Sequence, residues 1–510
     1  MEGLGAGQKS SVDDSNKTEA ENYHNSLIES IVETNDELLN KYLEGDTIET
    51  TSVNEVFKTA VVDCKVIPTF ATSSGKNVGV DILMDYINSL LPSPVEIKPL
   101  KAKEAGKDTE IEIKPAVDEQ VLAYVFKTMA DPYIGKLSIF RIFSGTIKTN
   151  ASYWLSGTKN TYKFTNLFRL QGKDQTDVSE AACGDIAAVS KIMDISNDDT
   201  ISNADKPLVM DKTIYPAPTL PKAILPVSKG DEEKISMGIS RLVEEDPTLR
   251  TELNLEVHQN IVWGMGELHL TIVKENLKEK FDIEVTMSTP DVAYKETIRK
   301  DSKAEYKYKK QSGGRGQYGH VFLELKPLKS GEGFKFEDKI FGGAIPKNYI
   351  PSAEKGVREA MQAGILAGYP VVDLYVNLYD GSFHTVDSSD IAFKIAASMA
   401  FKKGMIDADP VILEPIMELE VTIPEKYMGD IIGDINSKRG KIITMIPASN
   451  KMQVIKATIP QSESFNYSID LKSITQGRGT FNQKFSHYDE LPAHLAQPLI
   501  EKKKGEREKE

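Results

Sequence analysis

One stretch of the sequence does most to decide how the chain is interpreted: Lys307-Tyr-Lys-Lys-Gln-Ser-Gly-Gly-Arg-Gly-Gln-Tyr-Gly-His320. It carries four cations and no acid, although the formal net charge of the chain is −14. Its glycines free the backbone for positive φ angles and for close approach to another surface. The interleaved Lys, Arg, Tyr, Gln and His side chains supply phosphate contacts, stacking faces and hydrogen-bond donors. This pattern favours a loop that contacts RNA, and a solvated basic turn is the alternative.

The composition is that of a soluble globular protein with roughly three to five domains. The 510 residues are 40% hydrophobic and 27% charged, and no apolar run approaches the ~18–20 residues that span a bilayer. The N-terminus lacks the apolar core of a signal peptide, and Cys64 and Cys183 are isolated. We therefore expect a reduced, cytoplasmic protein that does not associate with membranes. The acidic balance argues against nonspecific coating of nucleic acid but leaves room for local basic surfaces.

The N-terminal part has the pattern of the end of an α/β domain. We expect disorder over residues 1–20 and the closing part of such a domain over 21–94. The predicted elements are one or two helices over 22–43, a strand at Val61–Ile67 and a helix at Val80–Leu91. The helix is expected to end before Pro92, because the residue that precedes a proline avoids the helical conformation.

Two different patterns follow. Residues 95–118 are charged and poor in large apolar groups, which predicts a linker. Over 119–212, short alternating segments are separated by turns that contain glycine. This spacing predicts an all-β barrel or sandwich.

The C-terminal half repeats one order of elements. Residues 218–296 and 413–490 both read strand, helix, strand, strand, helix, strand, which predicts two ferredoxin-like split β-α-β domains. They flank a third α/β region, 297–412, that contains the basic stretch. Residues 491–510 form the tail, and its last part, Glu501–Glu510, mixes both signs of charge and lacks apolar residues, so we expect that part to be frayed and solvated.

The chain contains no complete phosphate-binding sequence. A P-loop is Gly-x-x-x-x-Gly-Lys-Ser/Thr, whose backbone amides hold the phosphates while the lysine reaches the terminal one. The segment Gly3–Ser10 has Gln8 where the second glycine must stand, and no strand precedes it. In Ser74-Gly-Lys-Asn77, an asparagine replaces the hydroxyl that would bind Mg²⁺.

Two histidines are weighed as catalytic groups. His269, near the start of a predicted helix, is either a base or, as we favour, a packing side chain. His384 follows a predicted strand in a turn that also holds Asp380, Ser382 and Asp387. Neither a nucleophile elbow nor an oxyanion pattern accompanies this set. We therefore interpret the turn as a displayed loop that contacts a partner.

Further basic positions lie near the C-terminus. The segment Lys472–Thr480 repeats the Gly-Arg-Gly sequence of the basic stretch. Lys438 and Arg439 lie at the end of a predicted helix, where contact with RNA and interaction with the helix dipole account for them equally well.

Taken together, these motifs resemble translational GTPases of the elongation factor G type. The matching segments run through nearly the whole chain: Lys127–Gly135, Glu244–Thr248, Gly264–Leu270, Gln311–His320, Leu378–His384, Val386–Ser389, Tyr427–Asp430 and Thr475–Gly479. Tyr306–Gln311 and Phe401–Gly404 look more like the elongation factor G-like paralogues than the main branch.

The resemblance implies a multidomain α+β fold. Its parts are the remnant of an α/β GTP-binding domain, a β-barrel, and two ferredoxin-like domains that flank a ribosomal protein S5 domain 2-like domain. It also implies a monomer that promotes GTP-dependent translocation in its intact form. The implied partners are the ribosome, with its rRNA, decoding site and stalk base, and the tRNA–mRNA complex. Ribosome recycling and ribosomal protection are the alternative activities.

The implied ribosome contacts lie mainly in two loops of the fourth domain, Gly313–Gln317 and Asp380–Thr385, and in the fifth domain. The candidate residues are Lys309, Lys310, Gly313, Gly314, Arg315, Gly316, Gln317, His320, Asp380, Gly381, Ser382, His384, Lys438, Arg439 and Arg478.

The sequence departs from the family in its nucleotide motifs. The P-loop, the Mg²⁺-binding switch motifs and the Asn-Lys-x-Asp guanine motif are missing. Only Ser73, Ser74 and Gly75 stand where the family has its last guanine-binding loop, Ser-Ala followed by a large apolar residue. GTP and Mg²⁺, the cofactors of the intact family, are therefore expected not to bind, and no catalytic or metal-binding residue is assigned. The chain is expected to be a fragment of a longer gene product or a degenerate paralogue.

Overall fold

The computed structural model describes residues 11–97, 99–131, 135–172, 174–228, 230–311 and 316–507. The chain forms two compact units, residues 1–214 and 215–510. None of the described helices is long and apolar enough to cross a membrane.

The first unit begins with four helices: α1 (Lys17–Val32), α2 (Asp36–Glu44), α3 (Thr50–Val62) and α4 (Val80–Leu90). The Asn35 side chain caps α2 by accepting a hydrogen bond from Leu38 N at 3.1 Å, and α4 ends before Pro92 as predicted. The helices share a small core of buried apolar side chains: Ile31, Val53, Phe57 and Leu90. Helix α1 begins at Lys17, so the last four residues of the predicted disordered segment are helical. Residues 1–10 of that segment lie outside the described residues.

The predicted strand at Val61–Ile67 is wrong. Helix α3 continues to Val62, and the chain then turns at Cys64, whose φ is 56°. The buried positions Val53, Phe57 and Ala60 repeat every three to four residues, which is the helical period. A run of β-branched residues becomes a strand only where a neighbouring strand completes its hydrogen bonds, and the described residues place none beside this run.

The rest of the first unit is β-structure. Its strands are β1 (Leu100–Glu104), β2 (Glu110–Ile113), β3 (Leu122–Asp131), β4 (Gly135–Ser144), β5 (Thr146–Lys148), β6 (Ser152–Leu155), β7 (Thr161–Lys163), β8 (Phe168–Gln171), β9 (Asp174–Asp177), β10 (Glu180–Ala182), β11 (Ile186–Ser190), β12 (Thr200–Ser202) and β13 (Leu208–Val209). Eight of them form one sheet in the order β7-β6-β12-β3-β4-β11-β8-β9 around an apolar core. The predicted all-β domain is confirmed.

The predicted linker at 95–118 contains a hairpin instead. Strands β1 and β2 pair with each other, and β13 adds to β1. Ala102 and Ile113 are buried in a small cluster with Leu122 and Leu208. Charged residues dominate the composition of this segment, but its few apolar residues alternate, and they suffice for a hairpin once a third strand covers one edge.

The second unit contains strands β14 (Leu220–Pro226), β15 (Arg250–Asn254), β16 (Gln259–Gly264), β17 (Val285–Ser288), β18 (Lys295–Ile298), β19 (Ser302–Lys310), β20 (Gln317–Pro327), β21 (Phe334–Asp338), β22 (Leu374–Ser382), β23 (Pro410–Pro424), β24 (Lys441–Ala448), β25 (Met452–Pro460) and β26 (Thr480–Glu490). Its helices are α5 (Glu232–Glu245), α6 (Glu267–Phe281), α7 (Ile350–Ala363), α8 (Asp390–Asp407), α9 (Met428–Ser437), α10 (Gln461–Ser464), α11 (Tyr467–Thr475) and α12 (Ala493–Arg507).

Both predicted split β-α-β domains are present. The first is an antiparallel sheet in the order β15-β16-β14-β17 with helices α5 and α6. In the second, β23 lies between β25 and β26, and β24 forms the edge beyond β25. Strand β18 pairs with the start of β23, so residues 295–298 extend the sheet of the last domain.

The domain between them is a four-stranded sheet in the order β19-β20-β22-β21, with helices α7 and α8 packed against it. Strands β19, β20 and β22 are antiparallel neighbours, whereas β21 runs parallel to β22. This sheet carries the basic stretch on the hairpin of β19 and β20.

The tail is helical as far as Arg507 and is not frayed, while Glu501, Lys502 and Lys504 are exposed, as expected for a solvated end. Helix α12 spans Ala493–Arg507, and Leu491 before it is buried. Leu499 and Ile500 pack against a cluster that includes Ala367 and Ile412. The prediction rested on the charges of residues 501–510 and did not consider Leu499 and Ile500 just before them. These apolar side chains hold the helix to the rest of the second unit.

Candidate nucleic-acid interface

The two loops predicted to contact RNA lie at the same end of the middle sheet. Strand β19 runs toward this end and β20 runs away from it, so residues 311–316 connect them there. Strand β22 is antiparallel to β20 and therefore also ends there, which places residues 383–389 beside the hairpin. We call residues 311–316 the hairpin loop, residues 383–389 the histidine loop, and this end of the domain the tip.

The hairpin carries its basic residues up to the loop. Lys309 pairs across the strands with Tyr318, and Lys310 pairs with Gln317. Both lysine side chains are exposed, and Lys307 Nζ lies 5.4 Å from the centre of the Tyr318 ring. Gly313, Gly314 and Arg315, three of the predicted contacts, lie outside the described residues.

Asp387 connects the two loops. Its carboxylate accepts a hydrogen bond from Gly316 N at 3.0 Å, and its carbonyl oxygen accepts one from Tyr318 N at 2.9 Å. A Cβ atom on Gly316 would lie 3.0 Å from the Asp387 carboxyl carbon, so a glycine suits the close approach. Ser388 and Tyr318 also form an isolated parallel bridge. The histidine loop therefore holds the base of the hairpin loop in place.

His384 is oriented by its own loop. Its ring nitrogen Nδ1 lies 3.2 Å from Asp387 N and 3.3 Å from the Asp387 carboxylate. Its backbone N–H donates to Ser388 Oγ at 2.9 Å. About half of the His384 side chain, 53%, is exposed. One edge of the imidazole is thus used inside the loop, and much of the ring is accessible to a partner.

Ser382 connects strand β22 to the hairpin. Its Oγ lies 2.7 Å from the Tyr318 hydroxyl and 3.0 Å from His320 Nδ1. It therefore contacts His320, whereas His384 contacts Asp387. The Ser/His/Asp set that the sequence allows within residues 380–389 is therefore not assembled. Instead, these side chains hold the loops of the tip to one another, and we call the result a braced surface.

Near the end of β22, only a glycine fits at position 381. A Cβ atom on Gly381 would overlap Ile345 Cδ1 and would lie 2.5 Å from His320 O. The strand has an irregular register where β20 passes from Phe322 to Leu323. Asp380 is exposed next to this point, and its carboxylate accepts a hydrogen bond from Gly381 N at 2.8 Å.

Lys438 and Arg439 do not join the tip. Lys438 follows α9 and forms ion pairs with Asp434 and, at 3.1 Å, with Asp470. Arg439 donates two hydrogen bonds to Glu414, which is 4% exposed, and these bonds raise the pKa of the guanidinium above its ordinary value. Because both cations are engaged by internal carboxylates, the geometry favours the structural alternative for them.

The other predicted positions are more open. Arg478 lies exposed in the turn between α11 and β26, and its N–H donates to Thr475 O at 3.1 Å. Ser73 pairs with Val78 in a short bridge, and Ser74 and Gly75 are exposed in the turn that it closes.

His269 has the packing role that we favoured. Its Nδ1 accepts a hydrogen bond from Met265 N at 3.1 Å, and its Nε2 lies 2.9 Å from an Asp246 carboxylate oxygen. The ring thus connects the first turn of α6 to the end of α5. With both nitrogens in use, His269 has no free one to act as a base.

Sequence reasoning missed Tyr318 as a tip residue. Its backbone contacts the histidine loop and its hydroxyl contacts Ser382, so it stands at the centre of the braced surface. The signal was present in the alternation of Tyr and Lys over 306–310 and its continuation after the glycines. The alternation predicts a two-stranded hairpin with tyrosines on both strands. It does not show that the histidine loop will contact Tyr318.

Comparisons with known proteins agree with this architecture. Family sequence models match four consecutive parts of the chain: "Elongation factor G domain 2" at residues 120–204, "Elongation Factor G, domain III" at 215–289, "Elongation factor G, domain IV" at 290–409 and "Elongation factor G C-terminus" at 411–499. The tip belongs to the domain IV match.

A sequence relative and a solved structure extend the similarity to nearly the whole chain. Elongation factor G from Aquifex pyrophilus is 45% identical over 483 residues, which cover 94% of this chain and 69% of that protein. A crystal structure of a Thermus thermophilus protein is 35% identical with a TM-score of 0.68, covering 98% of this chain and 72% of that one. The architecture and these matches define a translation factor of the GTP-binding class. The chain belongs to the elongation factor G family.

Proposed function

We propose that the chain binds the ribosome through the tip of its middle domain and that its intact form promotes GTP-dependent movement of tRNA and mRNA. The observation that carries this proposal is the pair of braced loops at the tip. Asp387 and Ser382 fix the hairpin and histidine loops to each other, while Lys309, Lys310 and His384 remain accessible. Groups held in this way lose little conformational freedom when a partner binds.

The tip has the chemistry of a contact with phosphate and with unpaired bases. Lysines at the end of a hairpin neutralise phosphates without reading sequence. Tyr318 and His384 lie with their ring centres 6.3 Å apart and provide aromatic groups beside those cations. Membership of the elongation factor G family makes ribosomal RNA and the tRNA–mRNA complex the partners that this surface fits.

Ribosome pelleting tests the proposal directly. The full chain should sediment with 70S ribosomes in a manner that weakens as salt rises. The double variant Lys309→Ala/Lys310→Ala should bind less tightly, and its logarithmic salt dependence should decrease by about 1 for each phosphate that it no longer neutralises. Equal retention of the variant and the parent chain at every salt concentration would contradict the assignment of the tip.

Lys329→Ala is the matched control. Lys329 is exposed in the turn after β20, at the opposite end of the strand from Gln317. Eleven strand residues separate the two ends, a distance of about 35 Å. This variant removes one positive charge from the same domain, half of what the double tip variant removes, and should leave retention unchanged. A loss as large as that of the tip variant would indicate a general effect of net charge.

The residues of this chain do not fit a complete site for GTP. Ser74 and Gly75 lie in an exposed turn, and the sequence contains no P-loop to hold the phosphates. We therefore derive no step through the nucleotide and expect no heat when GTP and Mg²⁺ are added to the chain in a calorimeter. A saturable heat would show that these residues bind the nucleotide in a way that differs from the family.

A further inference from the structure

A third loop reaches the tip. Residues 339–346, which we call the glycine loop, follow strand β21 and precede the turn into α7. Strand β21 is parallel to β22, so both strands end at the same end of the sheet. Neighbouring strands lie about 4.8 Å apart, and the glycine loop therefore emerges next to the histidine loop.

Both ends of the glycine loop are anchored to the tip. At its start, Lys339 N donates to Leu378 O at 2.9 Å. Near its end, Ile345 is 1% exposed and packs against Gly381. The Tyr349 hydroxyl then donates to Ser388 O at 3.3 Å, which connects the following turn to the histidine loop. The loop is thus built into the same braced surface.

Phe341 is displayed at the apex of this loop. Its side chain is 92% exposed, the largest value for an aromatic side chain among the residues that the structure describes. Gly342 and Gly343 follow with φ angles of 66° and 74°, and no atom lies within 4 Å of where their Cβ atoms would be. The space beside the ring is therefore open, and a planar group has room to approach it.

The neighbours of Phe341 distinguish between two kinds of partner. A protein interface has an apolar core around its anchoring ring. Within the glycine loop, Ile340 packs against the core of the domain and Ile345 is buried, so neither extends an apolar patch around the ring, and the exposed apolar side chains of the neighbouring histidine loop are Phe383, itself aromatic, and Val386. In the sequence the ring is followed by two glycines and, six residues after Phe341, by the exposed Lys347. An exposed ring at the end of the domain that also displays Lys309 and Lys310 fits stacking on a base with a nearby phosphate.

We propose that Phe341 stacks on an unpaired RNA base and that the glycine loop is a third RNA contact of the tip. This inference rests on the proposed ribosome binding and adds a contact that neither the basic stretch nor the histidine loop supplies. Stacking depends on the π face of the ring and not on charge, so the contribution of Phe341 is separable from that of the lysines.

Three substitutions of Phe341 test the inference in the full chain. With 70S ribosomes as the probe, Phe341→Ala should weaken binding by about 5- to 150-fold, the range for loss of one stacked base. Phe341→Trp should restore binding because it keeps an aromatic face, whereas Phe341→Leu should remain as weak as the alanine variant. The salt dependence should be the same in all of them. Chemical probing should reveal an rRNA, tRNA or mRNA base that the parent and tryptophan variants protect and the other two leave reactive.

The outcomes separate this inference from the proposed function. If the parent chain sediments with ribosomes and Phe341→Ala sediments equally well, the inference is wrong and the proposed function stands. If Phe341→Leu retains the affinity that Phe341→Ala loses, the ring meets an apolar protein surface, which also overturns the inference. If the parent chain does not sediment at all, the proposed function fails and the inference fails with it. The side chain is almost fully exposed, so the variants should fold alike.

Discussion

Substitution of Glu296 should loosen the junction between the tip domain and the last domain. Glu296 is fully buried, and its carboxylate accepts hydrogen bonds of 2.5–3.1 Å from five consecutive backbone N–H groups. The donors are Ile365, Leu366, Ala367, Gly368 and Tyr369. Its own backbone pairs with Pro370 O and Val372 N. Because Glu296 lies in β18, which extends the sheet of the last domain, it fastens the segment after α7 to that sheet.

The magnitude follows from the number of donors left without a partner. A hydrogen bond to a charged group contributes about 1.5–3 kcal/mol, and the cost of desolvating the buried carboxylate offsets much of the total for five. Removing one partner of a buried charged network costs about 3–5 kcal/mol, which we expect for Glu296→Ala. Glu296→Gln keeps the oxygen facing three donors but points an NH₂ group at Ile365 and Leu366. We expect about 2–3 kcal/mol for it.

Hydrogen exchange is the suitable assay, because one unfolding free energy is poorly defined for a multidomain chain. Protection of the amides in residues 365–369 should fall by about two to three and a half powers of ten in Glu296→Ala, at 1.4 kcal/mol per factor of ten. Glu359→Ala is the control, since Glu359 is 49% exposed and forms a surface ion pair with Lys394. It should change protection by less than about tenfold. Equal, small effects of the two substitutions would refute the reasoning.

Two further predictions concern the surrounding structure. A hydrogen bond from Lys58 to Glu96 lowers the pKa of that carboxyl to about 2. The folded pKa of Glu96 lies below its unfolded value, so its contribution to stability is present above about pH 4.5 and is lost as the pH falls toward 2. Glu96→Gln should remove the contribution of this carboxyl to the pH dependence of melting curves. Gly319→Ala would place Cβ 2.6 Å from Ala392 O, and overpacking there should cost about 1–3 kcal/mol, measured as faster hydrogen exchange in β20. Gly429→Ala, with no atom within 4 Å of the new Cβ, should leave exchange in α9 unchanged or slower. The reverse order would contradict the packing argument.

The sequence predicted the structure best where the outcome depends only on residues that are close together in the chain. Pro92 ended α4 as predicted, because the restriction that a proline places on its predecessor is local. The two split β-α-β domains were also predictable, since each supplies within about 75 residues the strands that its own sheet requires. Their helices have one buried face each, and the alternating periods of 2 and 3.6 residues are visible without knowledge of the rest of the chain.

The errors arose where the outcome depended on a distant partner. Residues 95–118 form a hairpin that β13, more than ninety residues later, completes. The run Val61–Ile67 has high β propensity but no adjacent strand among the described residues, and its first two residues complete α3 instead. The tail helix is held by Leu499 and Ile500 through contacts with a cluster that includes Ala367 and Ile412. A single sequence does not reveal such pairings, because propensity describes a residue and not the surface that it will meet.

The same distinction separates the basic residues that the sequence singled out. Lys309 and Lys310 are exposed on the hairpin, so their charges are accessible to a partner. Lys438 and Arg439 have the same chemistry, but Asp434 and Glu414 engage them within the fold. Charge type alone therefore does not mark the proposed interface.

What distinguishes the proposed interface is the combination of an exposed group with an internally fixed backbone. At the tip, each loop is anchored by contacts that do not use its displayed side chains: Asp387 holds the hairpin loop, Ser388 holds the histidine loop, and Ile345 holds the glycine loop. A partner that binds there meets cations and rings whose positions are already set, so little binding energy is spent on ordering them. If this reasoning is right, Asp387→Ala should weaken ribosome binding although Asp387 is an acid facing a polyanion. Its loss should lower affinity through loop mobility, detectable as faster hydrogen exchange at residues 316–320, whereas a purely electrostatic interface would bind more tightly without it.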